Sequence, residues 1–225
     1  MPKVIGHRGA SADWPENTVA AFVGANSAGA DWVELDVRLT ALDEPVVIHD
    51  PFLPDGRVVC ESPGRVLPSS IPRLREALDA CSPMGVNVEI KHDPHEPGFH
   101  ADRRIADIVV AALADAPTEI LISSFDLAVI DRCRSLAPHV PTAYLVLDAR
   151  SPSGAIEACV AGGHSAIHPW DPGVDEELVS AAHHAGLALN VWTVDDPERI
   201  ARLAGWGVDG IVTNVPALAR QVLGR

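Results

Sequence analysis

The chain has 225 residues, 47% of them hydrophobic and 21% charged, a composition that supports one large core and excludes a disordered polyelectrolyte. With 31 acidic against 17 basic side chains, the formal net charge of −14 argues against a nucleic-acid partner, and an anionic substrate would need locally concentrated positive charge. No apolar run approaches the roughly 20 residues of a membrane span, and the first residues lead into an apolar stretch that stops at Arg8, so neither membrane insertion nor a signal peptide is expected.

Short β-like runs alternate with helix-like segments along the whole chain, the pattern of a parallel sheet with helical crossovers. The predicted strands are Val4–Gly9, Trp32–Val37, Pro45–Asp50, Val86–Lys91, Glu119–Ser124, Thr142–Leu147, Ala166–Pro169, Ala188–Thr193 and Gly210–Asn214. The second and third lie too close for a parallel crossover and predict a hairpin, with Ala41–Glu44 as the turn, Arg38 opposite Val47 and Asp36 opposite His49. Eight strands then remain for an α/β fold, a (β/α)8 TIM barrel with a hairpin after strand 2, forming one cytoplasmic domain over residues 1–225. Pro51–Pro72 reads as a loop excursion.

Ser151 before Pro152, and Asp196 before Pro197, have the form of a helix cap followed by proline at the first helical position. Gly207 and Gly210 frame the last strand and read as turn residues, or as part of a phosphate-holding loop. The four cysteines, Cys60, Cys81, Cys133 and Cys159, are too far apart in sequence for a C-x-x-C site and read as free thiols.

Strand alternation turns Glu34 and Asp36 into the barrel, away from Val33, Leu35 and Val37, and does the same for Asn87, Glu89 and Lys91. Three converging carboxylates raise one another's pKa unless a cation neutralises them, and hard oxygen ligands suit one divalent ion, Mg²⁺ or Ca²⁺. The competing reading is a buried salt-bridge network, Glu89 with Lys91 or Glu34 with Arg8.

His7 and His49 end their runs at the C-terminal rim, where barrel enzymes do chemistry, and two imidazoles suit proton transfer near neutral pH. Simple hydrogen bonding to neighbours is the plainer alternative. Arg8 can fork onto phosphate oxygens and Lys91 adds a point charge. Trp192, inward with Asn190, is either a substrate wall or packing. His92, His95 and His100 read as a solvated rim loop, and no dinucleotide, Walker or nucleophile-elbow motif is present.

The ordered set His7-Arg8-Gly9, Pro15-Glu16-Asn17-Thr18, Glu34-Leu35-Asp36-Val37, His49-Asp50, Glu89-Ile90-Lys91, Ser123-Ser124-Phe125, Val191-Trp192-Thr193 and Asp209 to Asn214 resembles the glycerophosphodiester phosphodiesterase family over nearly the whole chain. The resemblance implies a metal-dependent hydrolase releasing glycerol 3-phosphate and an alcohol. Glu34, Asp36 and Glu89 would hold the cation, His7 and His49 would act as acid and base, Arg8 and Lys91 would contact phosphate, and Asn17 would contact substrate at the rim. Attack by water and formation of a cyclic phosphate both stay open. The chain departs from the family in a shortened insertion after His49-Asp50, which leaves a more open site. A lysophospholipase D or sphingomyelinase-D-like activity, and a non-catalytic phosphate-binding barrel, are the alternatives.

Overall fold

The computed structural model describes residues 1–147 and 152–225. Eight parallel strands close on themselves: β1 (Lys3–Gly6), β2 (Trp32–Leu39), β4 (Gly85–Ile90), β5 (Ile120–Ser124), β6 (Thr142–Val146), β7 (Ala166–Pro169), β8 (Ala188–Val191) and β9 (Gly210–Thr213), with β1 pairing both β2 and β9. The short β3 (Pro45–Val47) is the antiparallel hairpin arm on β2. Crossovers are made by α1 (Val19–Ser27), α2 (Leu74–Cys81), α3 (Arg104–Leu113), α4 (Leu127–Leu136), α5 (Pro152–Gly162), α6 (Glu176–His184) and α7 (Pro197–Trp206), and α8 (Pro216–Val222) follows the last strand.

The core lies between barrel and helices. Val33, Leu35 and Val37 point outward from β2 into the layer that holds Phe22 of α1 and Ala77 and Leu78 of α2, all fully buried. Asp196 caps α7 by accepting from the Arg199 N–H, with Pro197 at the first helical position, as expected. Ser151 lies outside the described residues. The four cysteines are free.

The hairpin is present, but its register differs by one residue from the sequence expectation. Leu39 pairs with Pro45 and Arg38 with Val46, leaving residues 40–44 outside the ladder. Thr40 explains the longer turn: its N–H donates to the Glu44 carbonyl, and its hydroxyl accepts from the Leu42 and Glu44 N–H groups, while Asp43 takes φ 57°. Ile48, not His49, consequently donates its N–H to the Asp36 carbonyl. Arg38 secures the returning arm, its Nε donating to the His49 carbonyl at 2.7 Å.

The excursion after β3 holds two 3-10 turns, and its Leu53 and Val59 form a small core with Val46 of β3. Gly207, at φ 83°, ends α7 as a turn residue, but Gly210 lies within β9, where a Cβ would collide with the Asn190 side chain. β1 stops at Gly6, before the expected Gly9, because Arg8 and Gly9 adopt left-handed conformations with φ 53° and 90°. This turn brings Gly9 onto α1, where a Cβ would lie 2.5 Å from the Ala21 carbonyl carbon.

Gly9→Ala is therefore expected to cost about 2 to 5 kcal/mol, from overpacking together with left-handed strain. Gly205→Ala, in α7 with nothing within 4 Å of the added Cβ, is expected to stabilise by about 0.5 to 1 kcal/mol. Chemical denaturation of the two variants checks both signs, and a neutral Gly9→Ala would contradict the close contact.

Candidate active site

Glu34 and Asp36 on β2 and Glu89 on β4 are buried and face the barrel interior, with Asp36 and Glu89 paired in register. One carboxylate oxygen from each can be chosen so that all three lie within 4.8 Å of one another. Lys91 Nζ sits 2.6 Å from Glu89 Oε1 and 3.2 Å from Asp36 Oδ1. Arg8 Nε lies 3.2 Å from Asp36 Oδ2, while its Nη1 donates to both oxygens of Glu16 at 2.9 Å.

Part of the salt-bridge alternative is thus present, through Glu89 and Lys91. The Arg8 guanidinium, by contrast, turns to Asp36 and Glu16, and Glu34 receives only the Arg8 backbone N–H at 2.9 Å. Four carboxylates face two cations in this network, and Glu34 Oε1 is buried with no hydrogen-bond partner. Burial, then the proximity of Asp36 and Glu89, raises the Glu34 pKa well above its ordinary value. Burial pushes Glu89 up as well, against the pull of Lys91. Burial also acts on Asp36, but Lys91, Arg8 and His49 outweigh it and hold that carboxyl down at about 2. The donor set, all hard oxygen with two atoms lacking a hydrogen bond, Glu34 Oε1 and Asp36 Oδ1, and an excess of negative charge, fits a divalent cation.

His7 Nδ1 lies 2.7 Å from Asn214 Oδ1. The Asn214 amide is oriented by Asp195, whose carboxylate accepts from the Asn214 Nδ2 at 2.6 Å and from its backbone N–H at 2.8 Å. Asn214 Oδ1 must therefore accept from His7 Nδ1–H, which leaves Nε2 of the neutral ring as an acceptor, 4.0 Å from Glu34 Oε2. Burial, reinforced by Arg8, lowers the His7 pKa and favours that neutral form. His49 is one-third exposed and its Nδ1 lies 2.8 Å from Asp50 Oδ1.

Asn17, expected to contact substrate at the rim, is bonded to one of the carboxylates. It is buried at φ 57°, its Nδ2 donates to Asp36 Oδ2 at 2.7 Å and its Oδ1 accepts from the Asp36 N–H at 3.2 Å. Trp192 is half-buried, donates from Nε1 to the His168 carbonyl at 2.7 Å and meets Phe125 edge-on at 5.6 Å between ring centroids. His92 departs from the expected solvated loop: it is buried, its Nδ1 is 2.8 Å from Asp126 Oδ2, its Nε2 is 2.9 Å from the His100 carbonyl oxygen, and Phe99 packs on its ring. Asp195 was not legible as a site residue, since its role depends on a contact with Asn214 made only in the fold.

The architecture is that of solved phosphodiesterase barrels. A structure from Oleispira antarctica, described as a phosphodiesterase in complex with the product sn-glycerol-3-phosphate, superposes with a TM-score of 0.91 at 26% identity, covering 100% of this chain and 98% of that one. A glycerophosphodiester phosphodiesterase from Thermotoga maritima gives a TM-score of 0.84 at 27% identity, covering 100% and 99%. A protein of the same name from Bacillus altitudinis is 30% identical over 99% of this chain and 98% of its own length, and one from Caldanaerobacter subterraneus is 31% identical over 95% and 94%. The model of the glycerophosphoryl diester phosphodiesterase family matches residues 7–61 and 56–218. The chain belongs to this family.

The raised Glu34 pKa makes a signed prediction for metal-free protein. The folded state retains a proton that the unfolded state releases above about 4.5, so this group's contribution to stability falls as pH rises through the folded pKa. Glu34→Gln cannot ionise and is expected to gain on wild type between pH 5 and pH 8 when both are measured in chelator. Denaturation midpoints at the two pH values test this, and a variant that loses ground at pH 8 would contradict it.

Proposed function

We propose that this chain hydrolyses glycerophosphodiesters to glycerol 3-phosphate and an alcohol, as one catalytic barrel over residues 1–225 using one divalent cation, Mg²⁺ or Ca²⁺. The observation that carries the reading is the convergence of Glu34, Asp36 and Glu89 beside His7, Arg8 and Lys91, with Glu34 Oε1 unpartnered. The names of the relatives, and the product in the Oleispira structure, support the substrate class.

Glu34, Asp36 and Glu89 would hold the cation, which when bound supplies Lewis-acid stabilisation of the phosphoryl oxygens. Arg8 and Lys91, already oriented by carboxylates, contact the phosphate oxygens and localise positive charge in an otherwise acidic protein. His7 presents an unprotonated Nε2 and takes the proton from the attacking hydroxyl. His49, whose Nδ1 pairs with Asp50, gives a proton to the leaving alkoxide. Asn17 is a positioning residue for Asp36, and Trp192 forms a wall of the substrate mouth. The partner is a small molecule, not a nucleic acid, and the free thiols suit a cytoplasmic location.

A second reading, lysophospholipase D or sphingomyelinase-D-like activity, is favoured by one feature. Phe52, Phe99, Phe125 and Trp170, from loops on the catalytic side of the barrel, are exposed and would accept an apolar chain. Among the described residues no helix is long and apolar enough to cross a membrane.

Glycerol 3-phosphate release from glycerophosphocholine and glycerophosphoethanolamine is expected with Mg²⁺ or Ca²⁺ and not after chelation. Turnover undiminished in EDTA would remove the cation from the account, and faster cleavage of lysophosphatidylcholine would favour the second reading. His7→Ala and His49→Ala are each expected to lower kcat by about 100-fold to 10,000-fold with a smaller change in KM, and full kcat in either variant would remove that histidine from the mechanism.

A further inference from the structure

The opposite, N-terminal end of the barrel holds a cavity of about 450 Å³ that shares none of the carboxylates or histidines of the proposed reaction. TIM-barrel interiors are normally filled by layers of bulky branched side chains. Here the first strand positions of β7 and β8 lining the cavity are Ala166 and Ala188, which extend only a Cβ, and the space they leave lies against Ile5, Trp32 and Leu121. An apolar cavity of about 150 Å³ suffices for benzene, so this volume accommodates a substituted ring or a short branched molecule.

Three polar side chains converge on the same space: Asn87, His168 and Asn190. Two are bonded to each other, with Asn190 Nδ2 and His168 Nε2 at 2.8 Å. Burial holds the His168 ring neutral by driving its pKa to about 3. Asn87 differs: it is 3% exposed, and its Oδ1 has no hydrogen-bond partner. Leaving a buried acceptor unmade costs about 1 to 3 kcal/mol. The charged groups, the Met1 N-terminus, Lys3 and Asp209, lie at the cavity edge. Lys3 Nζ sits 4.3 Å from the centroid of the Trp32 ring, and Asp209 accepts from the Leu189 N–H at 2.8 Å and pairs with His183 at 2.9 Å. The interior therefore offers apolar walls and the unpaired Asn87 acceptor, with its charged groups confined to the edge.

We infer that the N-terminal end of the barrel is a second binding site, for a compact neutral molecule with an apolar body and one N–H or O–H donor directed to Asn87. A molecule of either charge would lose hydration without a counter-charge in the interior, and a purely apolar one would leave the Asn87 carbonyl unsatisfied. The site is independent of the proposed hydrolysis.

The test uses phenol and toluene, rings of similar size that differ in one hydroxyl, titrated into the full-length ¹⁵N-labelled protein. Saturable shifts are expected at the Trp32 indole N–H before any at Trp192, with phenol binding about tenfold tighter than toluene. Asn87→Leu, of similar volume, is expected to remove the phenol preference, and Ala188→Leu to occlude both probes, each variant being checked by its thermal melt. Absence of saturable shifts at Trp32, shifts at Trp192 first, a phenol preference that survives Asn87→Leu, or undiminished binding by Ala188→Leu would each overturn the inference. Because Ala188→Leu leaves Asn87 in place, a misfolded Asn87→Leu protein would still leave a decisive result.

Discussion

Three carboxylates buried in one barrel mouth with too few cations to balance them are the constraint around which the catalytic end is organised. In the low-dielectric interior such a cluster cannot stay fully ionised without compensation. Lys91 and Arg8 compensate Asp36 best, which is why that group stays ionised while Glu34 and Glu89 are pushed toward protonation. A divalent cation among the same oxygens would reverse that balance, turning an unfavourable burial of charge into a binding energy. The site's electrostatic strain and its proposed catalytic capacity are two aspects of one arrangement.

The scaffold achieves this arrangement through alternation. Glu34 and Asp36, facing inward from β2, carry their charge into the mouth, and Val33, Leu35 and Val37, facing outward, are branched aliphatics packed on α1 and α2. Hydrogen bonds behind the mouth then restrict the groups that remain movable: Asn17 grips Asp36 at two atoms, Asp195 orients Asn214, and Asn214 fixes which nitrogen of His7 faces the site. The hairpin beyond β2 brings His49 toward the same carboxylates, with Arg38 tying its carbonyl to the strand it left.

Much of this was legible in the sequence because it depends on periodicity. Inward placement of Glu34, Asp36 and Glu89 needs only a strand and its alternation, and the eight-strand count needs only the spacing that forces Pro45–Val47 into a hairpin. What was not legible depends on single contacts across long separations. The Thr40 side chain adds one residue to the turn and shifts the register, so Ile48 takes the place expected for His49. His92 is buried because Asp126, 34 residues later, accepts it, and nothing in the local composition of the His92 to His100 loop signals that partner. Asn17 carried a family expectation of a rim contact, and its paired hydrogen bonds to Asp36, 19 residues later, depend on a left-handed backbone that the local sequence does not signal.

The central claim is that the carboxylate cluster is a cation site whose occupation discharges the proton held by Glu34. Calorimetric titration of chelator-stripped protein with Mg²⁺ and with Ca²⁺, in buffers of different ionisation enthalpy, measures binding and proton release together. The account predicts one saturable site for at least one of the two ions, with protons released on binding, more of them as the pH is lowered from 8 toward 5.5, and fewer in Glu34→Gln. The absence of saturable binding of either ion, or binding with no proton release at any of these pH values, would contradict it.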